Sequence, residues 1–116
     1  MNTTINFRHM ESTPALRDYV NTKVSKAEKF IQRDYGVQVI LEVEKLRHIC
    51  EIIVNVKGSR ITAKEEGEEM YASIDKAMDK IEQQLRRYKE KNSHHKGGTS
   101  TGQEALAAET ALNPEG

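Results

Sequence analysis

Two sets of mainly basic side chains recur at helical spacing in this chain of 116 residues. Lys76, Lys80, Gln83, Arg87 and Lys91 advance by three or four positions along one segment. Lys26, Lys29 and Arg33 do the same along another, with Lys23 at their margin. Such steps put side chains on one face of an α-helix, so each set becomes a stripe with a positive field. The chemistry open to a stripe of this kind is ionic. It grips phosphates and matches the shape of a folded RNA, with little reading of base edges. A plainer account uses the same residues. Asp75, Asp79, Glu82 and Glu90 gather elsewhere around the second segment, Glu65, Glu66, Glu68 and Glu69 precede it, and Arg86, Arg87, Lys89 and Lys91 close it. Acids early and bases late complement the dipole of a helix that merely faces water. From the stripe alone both accounts stand.

Other chemistries find little to work with. Cys50 is the single cysteine, so no intrachain disulfide forms, and its place in an apolar run marks a small buried side chain rather than a nucleophile. His94 and His95 are adjacent in a glycine- and threonine-rich stretch, His9 and His48 fall at strand ends or loops, and no zinc spacing results. The run Glu65-Glu66-Gly67-Glu68-Glu69 lacks the alternating ligand spacing of a calcium loop and reads as N-terminal helix charge. Neither a dinucleotide fingerprint nor a phosphate-binding loop occurs. The expectation is a protein that is not an enzyme, with no cofactor, no metal and no small-molecule substrate. Phe7, Phe30 and four tyrosines supply no stacking platform for splayed bases.

Charge totals are balanced, 18 basic against 18 acidic, but unevenly placed. Residues 1–92 hold 17 of the basic and 15 of the acidic residues, while the stretch from Ser93 holds Lys96 against Glu104, Glu109 and Glu115. The N-terminal residues contain no long apolar run, so a cytoplasmic protein without a membrane partner is expected.

The elements that must position the cations are legible from periodicity. Thr3 to His9 alternates, with Ile5 and Phe7 on one side. Ser12-Thr13-Pro14 supplies a cap and a proline for the first helical position. The helix that follows carries Leu16, Val20, Val24, Ala27 and Ile31 on one face, and Gly36 suits its C-terminal exit. Val37 to Glu44 alternates, with Val37, Val39, Leu41 and Val43 inward. A basic connection (Lys45, Arg47, His48) leads to Cys50–Lys57, a Gly58-Ser59 turn and a strand at Arg60–Lys64. Ile40 and Ile53 fall on the outer face as a candidate cross-strand pair. Met70 to Lys91 is a long helix with Met70, Ile74, Met78, Ile81, Leu85 and Tyr88 on its apolar face. The fold class is therefore α+β, in the order β-α-β-β-β-α, with both helices on one face of a four-stranded sheet. If the helices lie side by side, their basic stripes merge into one patch. Residues 1–92 form the domain, and 93–116, lacking apolar periodicity, reads as a disordered tail.

Three strings carry a resemblance: TPALRDYVNTKVSKAEKF, VQVILEVEK and above all EEMYASIDKAMDKIEQQLRRYKEK. They resemble the ribosome hibernation promoting factor and ribosome-associated inhibitor family, also called the sigma-54 modulation protein family, across residues 1–92. The resemblance implies a βαβββα domain that acts in stationary phase or stress. It implies a partner, the small ribosomal subunit and its ribosomal RNA, near the decoding centre, where messenger and transfer RNA would be excluded and translation inhibited. Matched position by position, the family's basic residues fall on Arg17, Lys23, Lys26 and Lys29 in the first helix, Lys45 after the second strand, and Lys80, Arg87, Lys89 and Lys91 in the last helix. Gln83 stands where arginine is frequent, with Arg86 as a neighbouring compensation, and Ala27 stands where leucine is common. The length matches the family's short forms. Two other readings remain at this point: a protein-interaction regulator without RNA binding, and a general double-stranded RNA binder.

Overall fold

Wherever the sequence sustains an alternation of apolar and polar residues, the chain is extended. The structure is a computed structural model and describes residues 2–30, 35–56 and 58–93. Its order is β1 (Asn2–Arg8), α1 (Pro14–Ala27) continuing as a 3-10 turn (Glu28–Phe30), β2 (Gly36–Glu44), β3 (Arg47–Val56), β4 (Ser59–Gly67) and α2 (Met70–Ser93). Residues 1–85 form one compact unit and the chain from Arg86 a second; each is described by itself. Ile31, Arg33, Lys57 and the stretch 94–116 lie outside the described residues, and with them nearly all of the expected tail.

The four strands form one sheet in the order β1-β2-β3-β4, with β1 parallel to β2 and the two hairpins antiparallel. Register fixes its two faces. On one lie the pairs Val37–Val54, Val39–Ile52 and Leu41–Cys50, continued by Ile61 opposite Val54. Leu16, Val20, Val24 and Ala27 of α1 and Met70, Ile74, Ala77, Met78, Ile81 and Leu85 of α2 are buried with them. Val24 and Ala27 share a small apolar void with Val37, Ile52, Val54, Met78 and Ile81, so both helices cover this face. Burial of that area supplies the main drive for folding.

Local chemistry sets the helix ends. The Leu16 N–H donates to Thr13 Oγ1 at 3.2 Å, and Pro14 takes the first helical position, where no backbone donor is missed. Gly36 is not a helix cap; it pairs with Asn2 and Asn55 and opens β2. Gly67 closes β4 hard against α2: a Cβ there would sit 3.2 Å from Ser73 N, Ser73 Oγ and Ala72 Cβ. Ser73, fully buried, donates its hydroxyl to the His48 carbonyl at 2.6 Å and locks the start of α2 to β3.

Three boundaries differ from the sequence reading. Arg47 and His48 belong to β3, not to a loop, because Glu44 already pairs with Arg47. Ser59 belongs to β4, paired with Val56. Glu65 and Glu66 are strand residues, paired with Cys50 and Ile49, so they are not N-terminal charges of α2. Ile40 and Ile53 also differ from expectation. They sit opposite Glu51 and Gln38, hence diagonal to each other, and with Ile49 they are buried on the helix-free face.

Candidate nucleic-acid interface

The helices run parallel and meet through a small polar cluster. Tyr19 and Tyr71 pack edge to face at 4.9 Å, and four residues further along both helices Lys23 reaches Asp75. Asp75 Oδ1 accepts a 2.6 Å hydrogen bond from the Tyr19 hydroxyl and lies 3.2 Å from Lys23 Nζ. The Lys23 ammonium also stands 5.4 Å from the Tyr19 ring centre. The Tyr19 hydroxyl's bond to Asp75, then burial, raises its pKa. The Asp75 carboxylate likewise holds Lys23 protonated above its ordinary range.

The opposite flank of α2 faces β4. Lys80 Nζ lies 3.4 Å from Glu65 Oε2, Lys76 Nζ donates to the Glu66 carbonyl at 3.2 Å, and Gln84 Nε2 donates to the Thr62 carbonyl at 2.8 Å. Lys76 and Lys80, the first two members of the stripe read from the sequence, therefore turn toward β4. Toward α1, helix α2 presents the carboxylate of Asp75 rather than a cation of its own stripe. A helical wheel sorts charge without saying which flank meets the neighbouring helix. That is set by which sheet edge each helix covers.

The other expected contacts are spread over several elements. Arg17 is exposed on α1, 5.3 Å from the Phe7 ring centre, with its Nε donating to Ser12 Oγ at 3.2 Å. Lys26 is exposed and carries no ion pair among the described residues, while Lys29 lies 5.3 Å from the Phe30 ring centre. Lys45 is exposed in the β2–β3 turn. Within the second unit, Arg86 and Lys89 are exposed on the last turns of α2, Arg87 is half-buried, and the side chain of Lys91 is outside the described residues. Sequence reasoning missed Tyr19 and Asp75 as a linked pair. Their separation of 56 positions leaves no periodic trace.

No group of three metal-ligating side chains occurs among the described residues. Cys50 is completely buried, and that burial pushes its thiol up to about 12, so no thiolate nucleophile is available near neutral pH. Among the described residues no helix is long and apolar enough to cross a membrane.

A mixed four-stranded sheet covered on one face by two parallel helices defines a βαβββα domain of the α+β class. The chain belongs to the family described as sigma 54 modulation protein / S30EA ribosomal protein, which matches residues 3–93. Among its relatives is the ribosome hibernation promoting factor of Salmonella typhimurium, 42% identical over 95 residues, covering 82% of this chain and all of the relative. The ribosome hibernation promoting factors of Azotobacter vinelandii and Escherichia coli K12 are 41% and 39% identical over 98 and 95 residues, covering 84% and 82% of this chain and 92% and 100% of theirs. Two solved structures share the fold. The Thermus thermophilus Protein Y N-terminal domain gives a TM-score of 0.71 at 30% identity, covering 76% of this chain and 99% of that one. A ribosomal subunit interface protein from Coxiella burnetii gives 0.68 at 30% identity, covering 77% and 98%.

Proposed function

We propose that this chain is a ribosome hibernation factor, acting in the cytoplasm, that binds the small ribosomal subunit near the decoding centre and keeps messenger and transfer RNA out. The observation that carries the reading is its agreement with ribosome hibernation promoting factors along 92% to 100% of their length, at about 40% identity. The mechanism is steric and ionic. A rigid domain lays exposed cations, Arg17, Lys26, Lys29 and Lys45, against ribosomal RNA phosphates and thereby occupies space that the normal ligands need. Arg86, Arg87, Lys89 and Lys91 are proposed as further phosphate contacts of their own unit. Lys23 and Lys80, each held by a carboxylate, serve first to fix α2 in place.

Gradient sedimentation of purified small subunits with the purified protein tests this. Cosedimentation with loss of bound transfer RNA is expected. Failure to cosediment at low salt would sink the reading. Capture of a protein partner that survives nuclease and high salt would instead support the regulator suggested by the sigma 54 part of the family description.

A further inference from the structure

The turn joining β2 to β3 is built against its own backbone preference. Glu44 pairs with Arg47, so Lys45 and Leu46 alone make the turn. Lys45 sits at φ 58°, in the left-handed region that glycine occupies freely and other side chains rarely adopt. The neighbouring hairpin has the ordinary solution, with Gly58 at φ 77°. Leu46, beside the strained lysine, is 91% exposed. The stem below it is stiff. Arg47 Nη2 donates to Glu66 Oε1 at 2.9 Å and Arg47 Nη1 to Glu44 Oε1 at 3.2 Å, tying three strands together under the tip. Arg47 is thus held sideways by two carboxylates, while Lys45 carries no ion pair among the described residues. The hairpin presents one unpaired ammonium and one bare isobutyl group, side by side, on a fixed support. Strain of this kind persists where the surroundings impose it and clusters at sites of function.

We propose that this tip is a docking prong for RNA: Leu46 packs against the face or edge of an unstacked nucleotide while Lys45 holds the flanking phosphate. The proposal rests on the ribosome-binding reading above and adds to it an apolar contact that no charge argument supplies. An unpaired cation next to an apolar side chain matches a phosphate next to ribose and base, and leucine is among the side chains that wedge against base steps. A protein pocket is the competing occupant.

Equilibrium binding to purified small ribosomal subunits, at two salt concentrations with the full chain, tests the prong. Leu46→Ser should weaken binding about tenfold or more, equally at both salts, because it removes apolar contact and no charge. Its thermal midpoint should match wild type, since the side chain is already in water. Lys45→Gly should raise the thermal midpoint by relieving the turn, yet weaken binding and lower the salt slope by about one. A photoreactive residue in place of Leu46 should crosslink to ribosomal RNA. Wild-type affinity for Leu46→Ser, or a crosslink only to ribosomal protein, would overturn the prong and leave the ribosome reading intact. Absence of binding by the wild-type chain would overturn both.

Discussion

Toward α1, helix α2 presents Tyr71 and Asp75; toward β4 it presents Lys76, Lys80 and Gln84. The first flank offers one carboxylate to two donors from another helix. The second sends two cations and an amide back to an edge strand, where Gln84 and Lys76 occupy outward carbonyls of β4 that would otherwise invite another strand. Opposite charges thus do the same mechanical work, holding α2 at a fixed azimuth over the sheet. The comparison teaches that sorted charge on a helix is not by itself a ligand surface. Cations engaged by Asp75 and Glu65 position the domain, while Lys26 and Lys45, with no ion pair among the described residues, are the ones proposed to meet a partner.

The seam between the flanks should dominate stability. Ile81→Ala, at a side chain only 1% exposed, should cost about 3 kcal/mol in chemical denaturation and loosen both flanks together. Asp75→Ala should follow at about 1–2 kcal/mol, because it strips the Tyr19 hydroxyl of its acceptor and Lys23 of its ion pair at once. Lys80→Ala should cost less, about 0.5–1 kcal/mol, since it removes a single partly exposed ion pair and strips no second donor of its acceptor. A larger loss from Lys80→Ala than from Asp75→Ala would break the comparison.

Alkaline pH sharpens it further. Tyr19 and Lys23 both have raised pKa values in the folded state, so the native form holds their protons more tightly than the unfolded chain does. Their stabilisation is complete below about pH 10, where both model groups remain protonated, and is lost as pH rises through the folded values. Thermal midpoints should therefore fall more steeply above pH 10 for wild type than for Asp75→Asn. Equal slopes would contradict the cluster. Smallest of all, Gln84→Ala should cost a few tenths of a kcal/mol, checked by its thermal midpoint, because water replaces the amide at the exposed Thr62 carbonyl.

Much of this was legible in the residues. Alternation in Val37–Glu44 and around Ile52, the Thr13-Pro14 start and the three-four spacing of Met70 to Leu85 yield the element order and the buried face, because each is a local periodicity. Strand ends were harder. Arg47, His48, Glu65 and Glu66 read as loop or helix-start charges, and only register with partner strands makes them sheet residues. The orientation of α2 was not legible, because the choice between Asp75 and Lys80 as the side toward α1 depends on contacts across many positions. Nor does any pattern announce that Leu46 stands bare.

The central claim is that Arg17 and Lys26, exposed cations of α1 with no ion pair among the described residues, meet RNA phosphates, whereas Lys23 is held by Asp75. Its most direct test is the salt dependence of affinity for purified small subunits, from ~50 to ~200 mM, for wild type and an Arg17→Glu/Lys26→Glu variant. Wild-type affinity should fall about a thousandfold or more across that range, as for six or more phosphate contacts, and the variant should bind far more weakly with a shallower slope. A variant that keeps both the affinity and the slope of wild type would contradict the account.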